Sequence, residues 1–439
     1  MANSIPTGKI SRGAVVSRGI IKIGVKQTSS FIKRSLGTES QKQSIKEQTE
    51  RDIADIIFES LGELKGVSVK IAQQIALGMP FLPPAYIDKI SQSFHSIPPI
   101  NKALVRKIIK SQLGRYPSDI FDSFEMDAFA GASLGQVHRA YLDKTPLAVK
   151  VQYTGIKRSI QTDMSIIQFS LRRFAKGKDV SHIITEITDR LYEEIDYAKE
   201  AKNCDFFREN LHIENIVIPK VYHNLSTASV ITTSMIYGLS WDEYLASNPT
   251  QQEKNSYAQL IFDSFFHSLY ILKKIHADPN PGNFIFMDNG KLGLIDFGCI
   301  KEISDEFLDA YNSLHLTLLE KQDDTEIIAQ YIKLGMIDID SQDSMQYFYQ
   351  EVIKPLDRLY AEPLIGDSYD FGTHNDFSKR GFEMIFEVQK KKFYSVHKLN
   401  EQFLFINRTL LGYYALFEKM GATIDTKRVK DLMRSRSIF

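Results

Sequence analysis

The most informative part of this chain is Ile275–Gly298, which reads IHADPNPGNFIFMDNGKLGLIDFG and around which we expect the rest to be organised. It places His276, Asp278 and Asn283 in the order H-x-D-x-x-x-x-N, and an Asp-Phe-Gly triplet follows, beginning at Asp296. Phosphoryl transfer needs a divalent cation, oxygen ligands that hold it, and a carboxylate near the attacking hydroxyl or water. Asn283 and Asp296 are therefore the candidate metal ligands, and Asp278 is the candidate group for orienting or deprotonating the acceptor.

The residues between these two halves predict a β-hairpin. An apolar run at 284–287 is followed by Asp-Asn-Gly at 288–290, and 291–295 then alternates toward apolar residues. Asn-Gly between two such runs is a strong hairpin signal. The hairpin should return Asp296 close to Asn283. Either half alone is a short motif that recurs by chance in surface hairpins, but both halves at this separation favour a metal–phosphate site.

The composition is that of a globular protein with no overall charge. Among 439 residues, Lys plus Arg equals Asp plus Glu at 54 each, so no net field indicates nucleic acid as a partner. Two cysteines far apart in sequence exclude a disulfide framework and favour a reducing compartment. No apolar run is long enough to span a bilayer, so we expect a cytoplasmic protein.

The N-terminus is locally basic. Seven Lys or Arg residues precede Glu39, the first acidic residue, and they are interspersed with Ile, Val and Ala. Three interpretations remain open: a flexible basic tail, an amphipathic segment on a membrane surface, and an organellar transit peptide. The second predicts peripheral contact with the inner membrane, and the third a mitochondrial location in a eukaryote.

Further along the chain, several patterns suit a nucleotide site but are individually weak. Lys70 and Gln73 share one face of a predicted helix, where they could equally be its solvated side. Small residues at 130–133 precede a strand-like run, and such residues let backbone N–H groups approach phosphates. Lys150 is the one charge within an apolar strand, which is costly unless it is paired. An acid on the next substantial helix, with Glu194 as the candidate, would pair it.

Together these residues suggest a family. His276–Asn283, read HADPNPGN, resembles the HADPHPGN catalytic loop of the UbiB/AarF-type (ABC1) atypical kinases. Lys70–Gln73 is similar to the KxGQ motif of that family, with Ala72 in place of glycine. Residues 130–133 resemble its Ala-rich loop, with Gly131 in place of an alanine, and Glu194 and Asp196 match its ExD motif. Ser234 stands where relatives have Glu.

The resemblance implies an α+β, protein-kinase-like two-lobed fold with an N-terminal helical extension and a largely helical C-terminal lobe. The domain boundaries that we expect are 1–40 for the basic segment, 41–120 for the extension, 121–237 for the N-lobe and 238–439 for the C-lobe.

The resemblance also implies cofactors and residue roles. ATP would lie in the cleft with Mg²⁺ on Asn283 and Asp296, and Lys150, held by Glu194, would contact the phosphates. The adenine base of ATP would be held by the hinge, at Met235 and Tyr237. Lys70 and Gln73 would close the site. The loop would contribute the remaining contacts through Ala130, Gly131, Ala132 and Ser133.

Three functions follow as hypotheses. The first is an ATPase or kinase tied to isoprenoid quinone biosynthesis or lipid handling, with a quinone precursor or lipid as partner. The second is a nucleotide-gated scaffold without useful turnover, which the departures at Ala72, Gly131 and Ser234 keep open. The third is a small-molecule kinase, which would not explain Lys70 and Gln73.

The remaining pattern predicts the elements around this loop. We expect a helix over Lys102–Leu113 ended by Gly114, strands over 216–222 and 228–235, and a helix beginning at Trp241. A further helix over 259–275 should deliver the catalytic loop. After Gly298 we expect helices to the end, interrupted by a loop over 360–379. Arg408–Tyr414 resembles a C-terminal helical feature of the family, whose simplest role is packing.

Overall fold

The computed structural model describes six continuous ranges and some separate positions. The ranges are 101–132, 134–174, 181–321, 323–336, 349–390 and 400–436, and the separate positions are 346–347 and scattered residues between 18 and 56. These residues fall into two units. Unit 1 contains the described residues up to Lys144, Val149–Asp196 and Thr227–Val230, and unit 2 contains Thr145–Ala148, Tyr197–Ser226 and those from Ile231 onward.

Unit 1 opens with the helix that its sequence predicts. Helix α1 spans Lys102–Leu113, the Asn101 side chain accepts a hydrogen bond from the Ala103 N–H at 2.8 Å, and Gly114 ends the helix in the left-handed conformation at φ 77°. Glycine adopts that conformation without steric cost. The prediction of this helix and its terminating glycine is confirmed. A short helix α2, Pro117–Ile120, follows.

The sheet of unit 1 contains the predicted phosphate loop and lysine strand. Its strands are β1 (Ser123–Phe124), β2 (Ala130–Ala132), β3 (Gly135–Leu142) and β4 (Thr145–Gln152), of which the second half of β4 belongs to this unit. Strands β1 and β2 both pair antiparallel with β3. Asp143 and Lys144 turn the chain into β4 with φ of 48° and 63°, and the predicted lysine strand is confirmed. The small residues 130–132 are themselves strand.

Two helices of unit 1 correct a prediction. The helix after β4 is α3, Ile156–Phe174, and Glu194 is the last residue of the following helix α4, Ser181–Glu194. The chain then breaks, because the Asp196 N–H donates to the Glu193 carbonyl at 3.1 Å and the Gln152 amide donates to the Ile195 carbonyl at 2.7 Å. Because α3 intervenes, the expectation that Glu194 lies on the next substantial helix after β4 is wrong.

Unit 2 begins with elements that the sequence predicted only in part. They are α5 (Tyr197–Asn210), β5 (Ile216–Val217), β6 (Val230–Ser234, whose first residue is counted with unit 1), α6 (Trp241–Ala246) and α7 (Gln251–His267). The helix starting at Trp241 is confirmed. The predicted strand over 216–222 is wrong beyond residue 217, where an isolated bridge at Val221 is the one further strand-like pairing.

Helix α7 starts earlier and ends earlier than predicted. A capping box at Thr250 and Glu253 starts it, with the Thr250 N–H donating to the Glu253 carboxylate at 2.7 Å. A π-helical turn, Ser268–Leu272, follows it, and Ile275 lies in strand β7, Lys274–His276. The predicted boundaries 259–275 are therefore wrong at both ends. Phe262 and Phe265 of this helix are buried core residues.

The rest of unit 2 is helical with short strands inserted. Its strands are β8 (Phe284–Phe286), β9 (Leu292–Leu294), β10 (Ile300–Glu302), β11 (Ser368–Asp370) and β12 (Thr423–Asp425). Its helices are α8 (Asp305–Leu316), α9 (Asp324–Lys333), α10 (Lys354–Ile365), α11 (Phe377–Lys390), α12 (Glu401–Met420) and α13 (Lys427–Arg436).

Three of these strands correct the expectation of an all-helical end. Strand β10 pairs with β7, β11 pairs with β12, and the predicted loop over 360–379 is helical in its first and last residues. Strand β5 pairs in parallel with β9. Within the described ranges, no helix is both long and apolar enough to cross a membrane.

Candidate active site

The β8–β9 hairpin brings the two halves of the motif together. The strands pair antiparallel in the register Phe284↔Leu294 and Phe286↔Leu292, and the Ile295 N–H donates to the Asn283 carbonyl at 3.1 Å. Asp296 therefore follows directly after a backbone hydrogen bond to Asn283. The predicted hairpin, and the return of Asp296 to Asn283, are confirmed.

His276 ties the catalytic loop to the Asp-Phe-Gly triplet. Its Nε2 hydrogen-bonds the Asp296 carbonyl, and its Nδ1 lies 3.4 Å from the Asp278 backbone nitrogen. Because a carbonyl can only accept, Nε2 carries the proton and Nδ1 accepts. The Ala277 N–H donates to the Cys299 carbonyl at 2.9 Å, next to this contact. The imidazole thus links the backbone of the catalytic loop at Asp278 to the backbone of the triplet at Asp296.

The side chains that could hold a metal ion are oriented by the same backbone. Asn283, 8% exposed, donates from Nδ2 to the Asp278 carbonyl at 3.1 Å, which leaves Oδ1 as its ligating atom. The Asp296 Oδ1 accepts from the Gly298 N–H at 2.9 Å. One amide oxygen and one carboxylate suit Mg²⁺, which takes one or two protein carboxylates and completes its shell with phosphates and water.

This donor set fits Mg²⁺ better than a transition metal. Among the described residues, no group of three or more His, Cys, Asp or Glu side chains is arranged to hold a metal ion. A closed zinc site would need such a group. The residues present therefore fit a hard cation that arrives with a phosphate ligand.

The sequence did not identify two supports of the triplet. Asn203 of α5 donates to the Phe297 carbonyl at 2.9 Å, and Phe207, one turn later, lies 5.3 Å from Phe297 between ring centroids. Phe297 is 1% exposed. These residues are separated from the triplet by about ninety positions, so no local pattern could have indicated the contact.

The segment after β6, which contains the predicted hinge residues, packs on the hairpin. The Met235 N–H donates to the Pro146 carbonyl at 3.0 Å, and Leu239 exchanges two backbone hydrogen bonds with Phe286 at 2.8 and 2.9 Å. A Cβ on Gly238 would lie 2.5 Å from the Phe286 carbonyl oxygen. Glycine is therefore required there, and Tyr237 beside it is 54% exposed.

A second glycine serves the same contact from the other strand. A Cβ on Gly293 of β9 would lie 2.8 Å from the Ile236 Cγ2 atom. Glycine inside a strand often marks the close approach of another backbone, and this signal was available in the sequence. The predicted base-binding segment and the predicted metal loop are thus held together within unit 2.

In unit 1, a buried histidine braces the strand that follows the phosphate loop. The His138 Nδ1 donates to the Glu125 carbonyl at 2.9 Å, and its Nε2 lies 2.8 Å from the Gln136 amide nitrogen. Burial lowers the pKa of His138, so the ring stays neutral and Nε2 accepts. Gln136 is the residue opposite Gly131 in the β2–β3 pair. No local pattern in the sequence indicates this brace.

The remaining predicted site residues are placed as follows. Ala130, Gly131 and Ala132 form β2, and Lys150 and Glu194 are half-buried at the end of β4 and the end of α4. Lys70, Gln73 and Ser133 lie outside the described residues. The roles assigned to all of these residues stay predictions.

The strands, helices and H-x-D-x-x-x-x-N loop define a protein of the kinase-like α+β class. A family model described as the ABC1 atypical kinase-like domain matches residues 92–331. The chain therefore belongs to the ABC1 atypical kinase-like family, and the resemblance seen in its motifs is confirmed.

Relatives with kinase names support this membership. An Arabidopsis thaliana chloroplastic protein named ACTIVITY OF BC1 COMPLEX KINASE 8 is 28% identical over 65% of this chain, and the match spans 39% of that protein. A probable serine/threonine-protein kinase, abkA, of Dictyostelium discoideum is 26% identical over 85% of this chain and 69% of its own length.

A solved structure resembles the fold of most of the chain. The structure of Rv3197 from Mycobacterium tuberculosis, determined as a complex with erythromycin, aligns with a TM-score of 0.62. Its sequence is 23% identical, and the alignment covers 89% of this chain and 97% of that chain. At this identity the likeness shows the fold alone.

Proposed function

We propose that the chain binds Mg-ATP and uses it in hydrolysis or in phosphoryl transfer to a small or lipid acceptor. The arrangement of Asp278, Asn283 and Asp296 carries the proposal. All three belong to one hydrogen-bonded loop and hairpin in unit 2, with the Asn283 amide on the Asp278 carbonyl at 3.1 Å. Kinase-named relatives support the same class of reaction.

Each residue has a distinct part in this proposal. Mg²⁺ on Asn283 and Asp296 supplies charge neutralisation on the phosphates. Asp278 orients the attacking hydroxyl or water and takes its proton, while His276 keeps the backbone of Asp278 and Asp296 in register. Lys150, with Glu194 as its partner, contacts the phosphates, and Met235 and Tyr237 offer backbone and ring to the base. Lys70 and Gln73 restrict access to the site.

The acceptor that we propose is a quinone precursor or another lipid, as the family resemblance implies. The basic segment 1–40 would then support peripheral membrane contact of a cytoplasmic or organellar protein. Removing the residues before Glu39 and measuring sedimentation with anionic liposomes tests that contact. Unchanged sedimentation would exclude it.

A nucleotide-gated scaffold is the second candidate, and two departures from the family pattern favour it. The Ser234 hydroxyl accepts from the Lys220 N–H at 2.9 Å, so this side chain is engaged by the neighbouring backbone. Gly131 stands where relatives carry alanine, and a Cβ there would meet nothing within 4 Å. No packing contact requires glycine at this position, and glycine makes the loop more flexible than alanine would. Both departures lie in segments assigned to the nucleotide.

Phosphate release from Mg-ATP, compared between the wild type and Asp278→Asn, distinguishes the enzyme from the scaffold. Because the carboxylate assists the nucleophile, we expect turnover to fall by at least about a hundredfold. Binding should survive, since neither predicted metal ligand changes. Saturating Mg-ATP should therefore still stabilise this variant, by about 2.7 kcal/mol at a hundredfold excess over Kd.

The wild type is the control in the same samples. Stabilisation by Mg-ATP without phosphate release in the wild type would support the scaffold. Equal release by wild type and Asp278→Asn would exclude the role of Asp278. A wild type that Mg-ATP does not stabilise would contradict both candidates.

A further inference from the structure

Helix α12, which precedes the last helix α13, contacts the catalytic loop through a glycine in its interior. Helix α12 runs for 20 residues, from the Asn400 cap to the left-handed Gly421, and Gly412 lies past its middle. Glycine is among the poorest helix-forming residues, so its presence inside a regular helix calls for a packing reason. The structure supplies that reason.

Pro279, the residue after Asp278, occupies the space beside Gly412. A Cβ built on Gly412 would lie 2.3 Å from the Pro279 Cγ and 2.6 Å from its Cβ. Real Cβ atoms do not approach other carbons so closely, and the proline ring cannot rotate away as a flexible side chain could. Any side chain at position 412 must therefore displace the loop or the helix.

The next residue of α12 contacts the same loop. Tyr413 is 4% exposed, its hydroxyl lies 3.5 Å from the His276 carbonyl, and its ring packs against Phe284 and Phe265 at centroid distances of 6.2 and 5.5 Å. Burial, and then the charge of Asp278, raises the pKa of Tyr413, so the hydroxyl stays protonated and can donate. Two successive residues of α12 thus bear on the loop.

We propose that Gly412 is a positioning residue that sets the place of Asp278 through Pro279. The inference rests on the proposed function, since the position of Asp278 matters only if it acts on a nucleophile. It also assigns a task to a helix that lies beyond residues 92–331, the part that the family model matches. The kinase-like domain would then depend on α12 for the geometry of its own loop.

The test is a substitution on the helix with a compensating substitution on the loop. Gly412→Ala should lower kcat for phosphate release from Mg-ATP by about ten- to a hundredfold, because a displacement of about 1 Å can cost that much. The dissociation constant for Mg-ATP should change less than about threefold. In the Pro279→Gly background, which lacks the ring, the same Gly412→Ala change should cost less than about twofold.

Gly381→Ala is the matched control. Gly381 also lies inside a helix, α11, but its added Cβ would meet only the Leu359 Cδ2 atom at 3.3 Å, the end of a flexible side chain. We expect this variant to keep wild-type kcat. Circular dichroism and thermal unfolding of every variant separate a displaced loop from an unfolded protein.

The outcomes decide the inference in each case. Wild-type kcat in Gly412→Ala, or an equal loss with and without Pro279→Gly, would overturn it. Rescue of folding by Pro279→Gly, should Gly412→Ala alone fail to fold, would support it, and failure of both would overturn it. If the wild type releases no phosphate, hydrolysis as the proposed function fails by itself. Non-additive melting temperatures of the two substitutions would then support the contact, and additive ones would overturn the inference.

Discussion

The chain contains the triplet Asp-Phe-Gly twice in unit 2, at 296–298 and at 370–372, and the two copies fold alike. In each, the aspartate Oδ1 accepts a hydrogen bond from the glycine N–H, at 2.9 Å in the first and 2.8 Å in the second. In each, the phenylalanine is buried, with Phe297 1% and Phe371 0% exposed. The triplet by itself therefore specifies a turn and a core anchor.

The surroundings of the two aspartates differ. Asp296 follows a backbone hydrogen bond to Asn283, and His276 holds its carbonyl. Asp370 lies at the end of β11 opposite Thr423, and its carbonyl accepts from Thr373 at 3.0 Å. The first aspartate follows a backbone hydrogen bond to Asn283, the other ligand that we propose, whereas the second follows strand β11. The metal site that we propose thus requires the loop and the triplet together.

Removing the charge from each aspartate tests this difference most strongly. Asp→Asn keeps an oxygen that can accept from the glycine N–H, so both turns should survive. Asp296→Asn should lower phosphate release from Mg-ATP by roughly a thousandfold, equivalent to about 4 kcal/mol, because the negative charge of the proposed metal ligand is lost. Asp370→Asn should stay within about twofold of the wild type.

Binding gives the matching control. Mg-ATP should raise the melting temperature of the wild type and of Asp370→Asn, but not of Asp296→Asn. Equal effects of the two substitutions on turnover would show that the surroundings do not distinguish the triplets.

The two phenylalanines should behave alike, which tests the shared part of the comparison. Phe297 packs on Phe207 at 5.3 Å, and Phe371 packs on Tyr369 and Tyr414 at 4.7 and 5.5 Å. Replacing either by alanine leaves a cavity in the core, so each variant should lose about 3 kcal/mol of unfolding free energy. Urea denaturation measures this loss. A loss below about 1 kcal/mol in only one variant would break the likeness.

The sequence predicted the first triplet's site because its signals are local. The Asn289-Gly290 turn, the alternation in β9 and the spacing from Asp278 to Asn283 all fall within one short stretch. Chain direction and turn chemistry then place Asp296 without knowledge of the rest of the fold. The helix ended by Gly114 was predictable for the same reason.

The errors fall where distant contacts decide. The chain breaks at Ile195, whose carbonyl accepts a hydrogen bond from Gln152 of strand β4. The periodicity of the local sequence does not indicate this break. Gly412 and Pro279 touch across more than a hundred residues, and Arg408–Tyr414 indicated only a packing helix. The sequence predicted a loop at the second triplet, because no local pattern indicates that β12 pairs with β11, the strand that ends at Asp370.

A buried carboxyl extends the comparison to the pH dependence of folding. Asp357 of α10, the helix that leads to the second triplet, is 5% exposed and accepts a hydrogen bond from the Tyr331 hydroxyl at Oδ1. Its Oδ2 has no hydrogen-bond partner among the described residues. Burial raises the pKa of Asp357 to about 8, and the Tyr331 bond opposes this only in part.

The sign of the effect follows from that raised pKa. The folded protein keeps the proton where the unfolded chain has lost it, so stability is greatest at low pH and falls as pH rises toward 8. Between about pH 6 and about pH 7.5, the wild type should lose roughly 2 kcal/mol of unfolding free energy through this group, at about 1.4 kcal/mol per pH unit. Asp357→Asn should remove that loss, as measured by urea denaturation at each pH.

Asp370→Asn is the control for this measurement. Burial raises the pKa of Asp370, but hydrogen bonds from the Gly372 and Thr373 N–H groups outweigh it, and the net shift is downward. Its contribution to stability is therefore lost only in acid, and this variant should follow the wild-type slope between about pH 6 and about pH 7.5. Equal slopes in the wild type and Asp357→Asn would mean that Asp357 is ionised in the fold. Asp370 in the exposed turn and Asp357 in the core would then both be ionised in the folded protein.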